Sequence, residues 1–391
     1  MSQPRILIVD DEPFNIDYLT QELEESGCAV LSAANGLEAL EAVRSQAPDL
    51  VLLDIMMPVM DGFEVLARLK ADPAARDIPV VVISASSDMR SVVKGISLGA
   101  EDYLPKPFEP ALLHARVSSS LEKKRLLDIQ KLYLKSLERE MEIAREIQQG
   151  FLPAELPSAA GWEVAVYFQS AREVAGDFYD AFLLPGGGLA CVVGDVTDKG
   201  VGAALFMTLV RSLLRAAATS DVSCSGMDMR ALAPAERLRH VVTFTNGYIA
   251  ETHGDSGMFS TVFIGILAPQ GGTLTYINCG NEPPLVFGKG GTVTTLPPTG
   301  PVVGVIPDAG FTVKEITLEV GDLLLAFTDG IPDSKDGDDH FFGSARLAQL
   351  PVTGGTRPAA LLEDIQLQLK EFTGAADQFD DITLLAVKRT A

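Results

Sequence analysis

The sequence predicts two unlike globular domains joined by a helix. Over residues 1–117, short apolar runs alternate with amphipathic stretches, which is typical of an α/β domain with a doubly wound, five-stranded parallel sheet. Residues 118–150 are highly charged and repeat apolar positions every seven residues, which predicts a helical coiled-coil linker. Residues 151–391 contain many strand-like runs separated by Gly and Pro turns, with a few helices inserted. This last pattern favours an α+β domain, a β-sandwich flanked by helices.

Composition excludes several classes of protein. The 391 residues carry a formal net charge of -22, and a DNA- or RNA-binding domain would need a basic face, so no nucleic-acid partner is expected. No secretory signal opens the chain, and no apolar run reaches the roughly 18 residues of a membrane span. We therefore expect a cytoplasmic protein that does not bind membrane. The four cysteines have no metal-ligand spacing and are interpreted as packing or surface residues: Cys28, Cys191, Cys224 and Cys279.

The elements of the N-terminal domain follow from its apolar runs. Three short runs predict buried strands: 6–9, 50–53 and 80–83. Amphipathic stretches at 15–26 and 36–46 predict helices that cover the sheet. In such parallel sheets, ligands bind beyond the carboxyl ends of the strands, so polar residues at those ends are candidate site residues.

Five polar residues occur at these strand ends. They are Asp10 and Asp11 after the first strand, Asp54 after the second, Ser84 after the third, and Lys106. The set fits formation of an acyl phosphate, in which Asp54 accepts a phosphoryl group. A Mg²⁺ ion held by the three acids would offset the charge of phosphate meeting carboxylate. Lys106 would pair with one phosphoryl oxygen, and Ser84 would donate a hydrogen bond to another.

The motifs that carry these residues resemble those of response-regulator receiver domains of two-component signalling: LIVDDE, LVLLDIMMPVMDGFEVL, PVVVISA and GAEDYLPKPF. The resemblance covers residues 4–117. It implies phosphorylation of Asp54 by a partner histidine kinase. It also implies that Ser84 and Tyr103 shift together on phosphorylation, and that the Lys106–Pro107 peptide bond is cis.

The linker carries an imperfect heptad repeat. Leu127, Leu134 and Met141 recur every seven residues, Leu137 and Ala144 occupy a second position of the repeat, and Gln130 and Gln148 interrupt it. Two interpretations remain open. The helix packs on a neighbouring domain of its own chain, or it pairs with the same helix of a second chain to form a homodimer.

In the C-terminal domain, apolar runs predict six strands, at 164–168, 190–193, 261–267, 273–277, 323–327 and 382–387. Helices are predicted at about 202–217, 235–250 and 359–372. Five carboxylates lie beside glycines or at the edges of these runs: Asp177, Asp195, Asp329, Asp380 and Asp381. Carboxylate oxygens suit Mg²⁺ and Mn²⁺, and a two-metal acidic site is suited to hydrolysing phosphate esters.

These acids occur within a series of eight motifs: AREIQQGFLP, AGDFYD, GDVTDKGVGAAL, MFSTVFIGIL, NCGNEPPLV, GPVVGV, GDLLLAFTDGIPDS and FDDITLL. In sequence and in order, these motifs resemble those of the bacterial sigma-regulator branch of metal-dependent, type 2C Ser/Thr protein phosphatases. This branch includes the stage II sporulation phosphatase. The resemblance covers residues 143–390. It implies that Asp195 bridges two Mn²⁺ or Mg²⁺ ions, with Gly194 or the carbonyl of Val196 alongside.

The same resemblance implies that Asp177, Asp329 and Asp380 complete the ligand set, with Asp381 as an alternative to Asp380. It also implies that a metal-activated water attacks the phosphorus. Three positions depart from the family pattern: Ala175 where Gly is frequent, Asp198 where a small residue is usual, and Asn281 in place of His. None of the three removes an implied ligand.

Two functions are compatible with the sequence. The first is a receiver-regulated phosphatase that acts on phosphoserine or phosphothreonine of a partner protein, by resemblance an anti-sigma-factor antagonist. The alternative is a non-catalytic adaptor in which a degenerate phosphatase fold binds a partner. The sequence leaves open the cognate kinase, the substrate, the direction of regulation and the choice between Mn²⁺ and Mg²⁺.

Overall fold

The computed structural model describes residues 3–85, 89–222 and 228–391. The chain divides into two compact units, Met1–Glu138 and Arg139–Ala391. Cys28, Cys191 and Cys279 are buried free thiols, as expected of packing residues, whereas Cys224 lies outside the described residues.

The first unit is built on a parallel sheet of five strands in the order β2-β1-β3-β4-β5. Its strands are β1 (Arg5–Val9), β2 (Ala29–Ala33), β3 (Leu50–Asp54), β4 (Val80–Ala85) and β5 (Asp102–Lys106). Its helices are α1 (Pro13–Glu25), α2 (Gly36–Gln46), α3 (Gly62–Ala71), α4 (Met89–Ser97) and the first part of α5 (Pro110–Phe151).

Alternate residues of the central strands enter two different cores. In β1, Ile6 and Ile8 pack on one face of the sheet with residues of α1 and α5, whereas Leu7 and Val9 pack on the other with residues of α2 and α3. Both faces are therefore covered by helices, which explains why the strands read as continuous apolar runs. The predicted doubly wound parallel sheet is confirmed.

Helix α5 is continuous over 42 residues. Near its start, Leu113 and Val117 are buried in the core of the first unit. Further along, Leu127, Leu134 and Leu137 of the heptad repeat are exposed. A third to a half of each of these three residues is open to solvent, and pairing with a second chain stays a prediction.

The second unit contains two antiparallel five-stranded sheets, in the orders β13-β10-β9-β8-β7 and β12-β11-β14-β15-β6. Its strands are β6 (Trp162–Gln169), β7 (Phe178–Leu183), β8 (Leu189–Val196), β9 (Ser260–Leu267), β10 (Thr273–Cys279), β11 (Leu285–Phe287), β12 (Val293–Thr295), β13 (Lys314–Thr317), β14 (Leu323–Phe327) and β15 (Ile382–Arg389). Its helices are α6 (Val201–Thr219), α7 (Pro234–His253), α8 (Ser344–Ala348) and α9 (Pro358–Thr373).

The two sheets and their helices form four layers around three cores. Leu189, Cys191 and Val193 of β8 point to the core between the sheets, where they meet residues of β14 and β15. The intervening Ala190 and Val192 point to a second core beneath α6 and α7. A third core lies between the other sheet and helices α8 and α9. The predicted sandwich flanked by helices is confirmed. It forms because successive side chains of each strand point to opposite faces of the sheet, so that one face packs on the other sheet and the other face on helices.

Helix α6 is long and apolar enough to cross a membrane when only its length and composition are considered. Its residues Ala203, Met207, Val210 and Leu214 are buried against the sheet in the core of the second unit. This packing accounts for the apolar composition of α6 as that of a core helix.

Candidate functional site

The first unit brings four predicted residues together at the carboxyl edge of its sheet: Asp10, Asp11, Asp54 and Lys106. Lys106 at the end of β5 donates hydrogen bonds to Asp10 (2.9 Å) and Asp54 (2.7 Å), both buried. One oxygen each from Asp10, Asp11 and Asp54 can lie within 4.8 Å of the others, which is compatible with a single cation. Asp10 is also oriented by hydrogen bonds from Asn15. The strand-end acids and the lysine therefore converge as predicted.

Ser84 and Tyr103 lie on β4 and β5 of the same sheet. Among the described residues, the buried hydroxyl of Ser84 has no hydrogen-bond partner. Such an orphaned group suits the predicted contact with a phosphoryl oxygen, because a buried polar atom left unpaired is costly. Tyr103 is half-buried, and the guanidinium of Arg116 lies 6.0 Å from the centre of its ring. The Lys106–Pro107 bond is cis, as the resemblance implies.

Burial and charge act in opposite directions on Asp54. Burial raises the pKa of this carboxyl, and Asp10 adds to the rise, while Lys106 lowers it. Burial alone would lower the pKa of Lys106, but its hydrogen bonds to Asp54 and Asp10 raise it above its ordinary value. The site therefore holds a fixed cation against two acids, an arrangement that a divalent cation and a phosphoryl group would complete.

The second unit gathers the five remaining predicted acids, here called the carboxylate cluster: Asp177, Asp195, Asp329, Asp380 and Asp381. Asp177 precedes β7, Asp195 is in β8, Asp329 follows β14, and Asp380 and Asp381 precede β15. Both sheets of the sandwich thus contribute. All five are described residues, and no three of them bring ligand atoms within 4.8 Å of one another, unlike the N-terminal triad.

Asp177 lies at the bottom of the carboxylate cluster. It is almost fully buried, and one of its oxygens accepts hydrogen bonds from the hydroxyls of Thr328 and Thr383, each at 2.6 Å. Burial raises the pKa of Asp177 well above its usual range, and Asp195 and Asp381 raise it further. The two threonines fix the orientation of the carboxylate by occupying that oxygen.

The pKa values of Asp195 and Asp329 are both raised by burial and by neighbouring acids. Burial, followed by the nearby Asp329 and Asp380, raises the pKa of Asp195 to about 7. Burial, followed by Asp380, also raises the pKa of Asp329, to about 6. Carboxylates crowded in this way disfavour ionisation unless a cation joins them. The donor set is all oxygen and acidic, and so fits hard divalent cations.

The neighbours Asp380 and Asp381 have different surroundings. Asp381 is buried and accepts hydrogen bonds from the backbone N–H groups of Ala171 and Gly176, each at 2.7 Å. Asp380 is more exposed and forms an ion pair with Lys199 at 2.9 Å. The ammonium of Lys199 also donates to the carbonyl of Phe379. Lys199 is therefore the protein's own counter-ion at the rim of the carboxylate cluster.

The three departures from the family pattern are accommodated locally. Asp198 adopts the left-handed region, with φ of 77°, which Asp tolerates and which explains a usual preference for Gly. Asn281 is buried and donates to the backbone carbonyls of Phe327 and Glu282, so it braces the end of β14. Ala175 is fully buried, and both of its backbone polar groups bond to the side chain of Gln148.

Sequence reasoning missed several residues that support the site. Thr328 and Thr383, which hold Asp177, lie within the motifs GDLLLAFTDGIPDS and FDDITLL, but no role is predicted for them from the sequence. Lys199 was visible as the basic residue of GDVTDKG, and its pairing with Asp380 spans 181 positions. Gln148 was interpreted as an interruption of the heptad repeat, whereas the structure shows it bonded to Ala175.

The chain is similar to known proteins over both of its units. Residues 185–390 match the family described as stage II sporulation protein E, and residues 6–118 match the response regulator receiver domain. Protein IcfG of Synechocystis is 40% identical over 262 residues, which are 64% of this chain and 41% of IcfG. The response regulator PleD of Caulobacter vibrioides is 42% identical over 124 residues, which are 32% of this chain and 27% of PleD. The chain thus spans less than half the length of either relative.

Two solved structures are similar to the larger part of the chain. The RsbU and RsbW domains of Rv1364c from Mycobacterium tuberculosis are 29% identical with a TM-score of 0.50, covering 62% of this chain and 63% of that one. The SiaA-PP2C domain of Pseudomonas aeruginosa, at 21% identity and a TM-score of 0.55, covers 66% and 98% and shows the shared fold. With more than half of its length matched, this chain belongs to the stage II sporulation protein E family and joins a response-regulator receiver domain to a PP2C-type serine/threonine phosphatase domain.

Proposed function

We propose that this protein is a phosphatase whose activity is regulated by phosphorylation of its receiver domain. It hydrolyses phosphoserine or phosphothreonine on a partner protein. The observation that carries the proposal is the carboxylate cluster: five acids, from segments far apart in sequence, meet at one end of the sandwich with the pKa of Asp195 raised to about 7. A fold that crowds acids without neutralising them is suited to binding divalent cations.

In the phosphatase domain, Asp195 would bridge two Mn²⁺ or Mg²⁺ ions. Asp177, Asp329 and Asp380 would complete the ligands, together with the carbonyl of Val196. The cations would supply electrostatic stabilisation of the phosphoryl oxygens and a more acidic water. Asp381 holds the segment that carries Asp177, because its carboxylate accepts backbone N–H groups there. No nucleophilic side chain is required for this chemistry.

In the receiver domain, Asp54 is the phosphoacceptor. Its carboxylate oxygen attacks the phosphorus of the donor and forms an acyl phosphate, while the leaving group departs with the former bonding electrons. Asp10, Asp11 and Asp54 would hold a Mg²⁺ ion. Lys106 already lies 2.7 Å from the Asp54 carboxylate and is placed to pair with a phosphoryl oxygen. Ser84 supplies its free hydroxyl, and Tyr103 follows Ser84 when the site is loaded.

The partners follow from the two domains. A receiver domain implies a histidine kinase as the phosphoryl donor. Similarity to the RsbU-containing structure supports a phosphoprotein substrate, and we propose an anti-sigma-factor antagonist. The exposed heptad residues of α5 support a homodimer that forms through this helix. We further propose that the protein acts in the cytoplasm.

Two assays test the proposal. Mn²⁺-dependent hydrolysis of p-nitrophenyl phosphate by the wild type, absent in Asp195→Ala, would support the catalytic assignment. A variant rate above about a tenth of wild type at saturating Mn²⁺ would contradict it, because loss of a bridging ligand should cost far more than the roughly 1.4 kcal/mol of a tenfold change. Phosphate-affinity gels after treatment with acetyl phosphate and Mg²⁺ should show a shift that Asp54→Ala abolishes. Equal labelling of both proteins would refute Asp54 as phosphoacceptor.

A further inference from the structure

The side chain of Gln148 is unusual among the residues near the end of α5. It is 6% exposed, whereas Ile147 is 59% exposed and Gln149 is also exposed. Its oxygen accepts a hydrogen bond from the N–H of Ala175 at 3.0 Å, and its Nε2 donates to the carbonyl of Ala175 at 2.6 Å. One side-chain amide thus satisfies both backbone polar groups of one residue, as a neighbouring strand would.

This pair of hydrogen bonds is enclosed. Ala175 is 0% exposed, so water is not available to replace the glutamine. Removal of the amide leaves a buried N–H and a buried carbonyl without partners, a state that proteins avoid. The segment around Ala175 must then move to satisfy these groups elsewhere. Gln148 therefore determines where this segment lies.

The segment leads directly into the carboxylate cluster. Gly176 donates its N–H to Asp381 at 2.7 Å, and Asp177 follows. A Cβ atom on Gly176 would lie 3.0 Å from the carbonyl oxygen of Val196 and 3.4 Å from the carboxylate of Asp195. Gly176 is thus held between two proposed ligand segments with little spare room. A displacement of Ala175 by a fraction of an ångström would be passed on to Asp177 and Asp195.

Gln148 belongs to the same continuous helix that begins in the receiver unit. A helix without a break transmits axial rotation or translation along its length better than a flexible loop does. A rotation of α5 would therefore act on the metal-site segment through the hydrogen bonds between Gln148 and Ala175. Near its C-terminal end, α5 therefore contacts the segment that leads into the carboxylate cluster, through Gln148.

We propose that Gln148 is the positioning residue through which α5 sets the geometry of the phosphatase metal site. The inference rests on the proposed function and names the regulatory contact within it. In one position of α5 the amide holds Ala175 so that Asp177 and Asp195 have the spacing that divalent cations require. In another position the amide pulls or releases Ala175, and cation affinity falls. Receiver state and metal occupancy are coupled through this amide.

The primary test compares Gln148→Leu with Gln149→Leu in the full-length chain. Leucine at 148 preserves an apolar, buried contact and removes both hydrogen bonds, whereas Gln149 is exposed and serves as the matched control. Isothermal titration calorimetry with Mn²⁺ should give a dissociation constant about tenfold higher for Gln148→Leu than for the wild type. A change of this size is expected when a buried pair of hydrogen bonds is lost. Gln149→Leu should bind as the wild type does. An unchanged dissociation constant in Gln148→Leu overturns the inference.

A second readout separates positioning from a structural role. The turnover of p-nitrophenyl phosphate should change when wild type or Gln149→Leu is treated with beryllofluoride, a mimic of the phosphoryl group on Asp54. Gln148→Leu should lose most of this response when each protein is assayed at a Mn²⁺ concentration equal to its own dissociation constant. A full response in a folded Gln148→Leu protein overturns the inference and leaves the proposed function intact. Absence of Mn²⁺-dependent turnover in the wild type instead overturns the proposed function.

A measurement on the wild type covers the case in which Gln148→Leu does not fold. Amide hydrogen exchange of the segment containing Ala175 reports directly on its bond to Gln148. Treatment with beryllofluoride should change the protection of this segment by about tenfold, since the bond is made in one state and weakened in the other. Identical protection in both states, with turnover that differs between them, overturns the inference.

Discussion

Substitution of Gly330 by alanine should inactivate the phosphatase domain and leave both units folded. A Cβ atom at this position would lie 1.8 Å from the carbonyl oxygen of Asp381 and 2.8 Å from its carbon. Real Cβ contacts are essentially never closer than 3.0 Å, so the two segments must separate by at least about 1.2 Å. Both contacting atoms belong to the backbone, and no change of side-chain rotamer relieves the clash.

The displacement falls between two proposed ligands, because Gly330 follows Asp329 and Asp381 follows Asp380. Misplacement of reacting groups by about 1 Å costs roughly a hundredfold in rate, while an overpacked site costs roughly 1–3 kcal/mol in stability. We therefore expect at least a hundredfold loss of Mn²⁺-dependent turnover of p-nitrophenyl phosphate, with a circular dichroism spectrum like that of the wild type.

Gly337→Ala provides the matched control, since a Cβ atom at that position would have no neighbour within 4 Å. It should retain the turnover and the melting temperature of the wild type. The reasoning is refuted if Gly330→Ala keeps more than about a tenth of wild-type turnover at saturating Mn²⁺, because that rate corresponds to a barrier change below roughly 1.4 kcal/mol.

Three further predictions concern charge and assembly. Because the pKa of Asp195 is raised to about 7 from 3.8, the metal-free fold binds more protons than the unfolded chain across that interval, so its stability should fall as pH rises. In EDTA the melting temperature should therefore be lower at pH 8 than at pH 5.5, and Mn²⁺ should reverse the loss. Lys199→Met should tighten Mn²⁺ binding in calorimetry by up to about tenfold, because it removes a partly exposed cation from Asp380. Leu134→Glu combined with Met141→Glu should give monomers by light scattering, because the double substitution places charges at apolar positions of the heptad repeat of α5.

Each of these predictions has its own control. Asp195→Asn should show a weaker dependence of melting temperature on pH than the wild type, and an equal dependence would assign the effect to other groups. Lys289→Met removes an exposed lysine paired with Glu319 and should leave Mn²⁺ affinity unchanged. Leu132→Glu alters an exposed position of α5 outside the repeat and should preserve the dimer. A wild type that is itself monomeric at micromolar concentration would refute the pairing of α5.

The receiver site was predictable because parallel topology determines where strand ends lie. Asp10 and Lys106 are separated by 96 positions, yet Asp10 follows β1 and Lys106 ends β5, and the carboxyl ends of these strands lie at one edge of the sheet. Continuous apolar runs identified the strands, and the acids at their ends identified the edge. Short, partly polar strands such as β2 gave a weaker signal, since its residues are mostly half-buried and alternate less clearly.

The phosphatase site was predictable in its acids but not in their supports. The threonines that hold Asp177 come together only through the antiparallel register of β14 and β15, which pairs Phe327 with Leu384 and so sets Thr328 beside Thr383. A shift of one strand by one residue would have sent the hydroxyl of that strand to the other face. Strands β12 and β13 escaped prediction for a related reason, since they are edge strands with largely exposed side chains and little apolar alternation.

The pair Asp380–Asp381 shows what structure adds to a motif. Neighbouring residues entering a strand point in different directions, so two adjacent acids cannot occupy equivalent positions. Asp381 has both oxygens engaged by backbone N–H groups of residues 171–177, and these bonds organise the loop that carries Asp177. Asp380 pairs one oxygen with Lys199 at the rim, and its other oxygen accepts the N–H of the adjacent Asp381. A divalent ion can displace an ammonium from Asp380 without breaking the fold, whereas taking Asp381 would release the loop that carries another ligand. The surroundings therefore favour Asp380 as the metal ligand and Asp381 as the residue that holds the ligand loop in place.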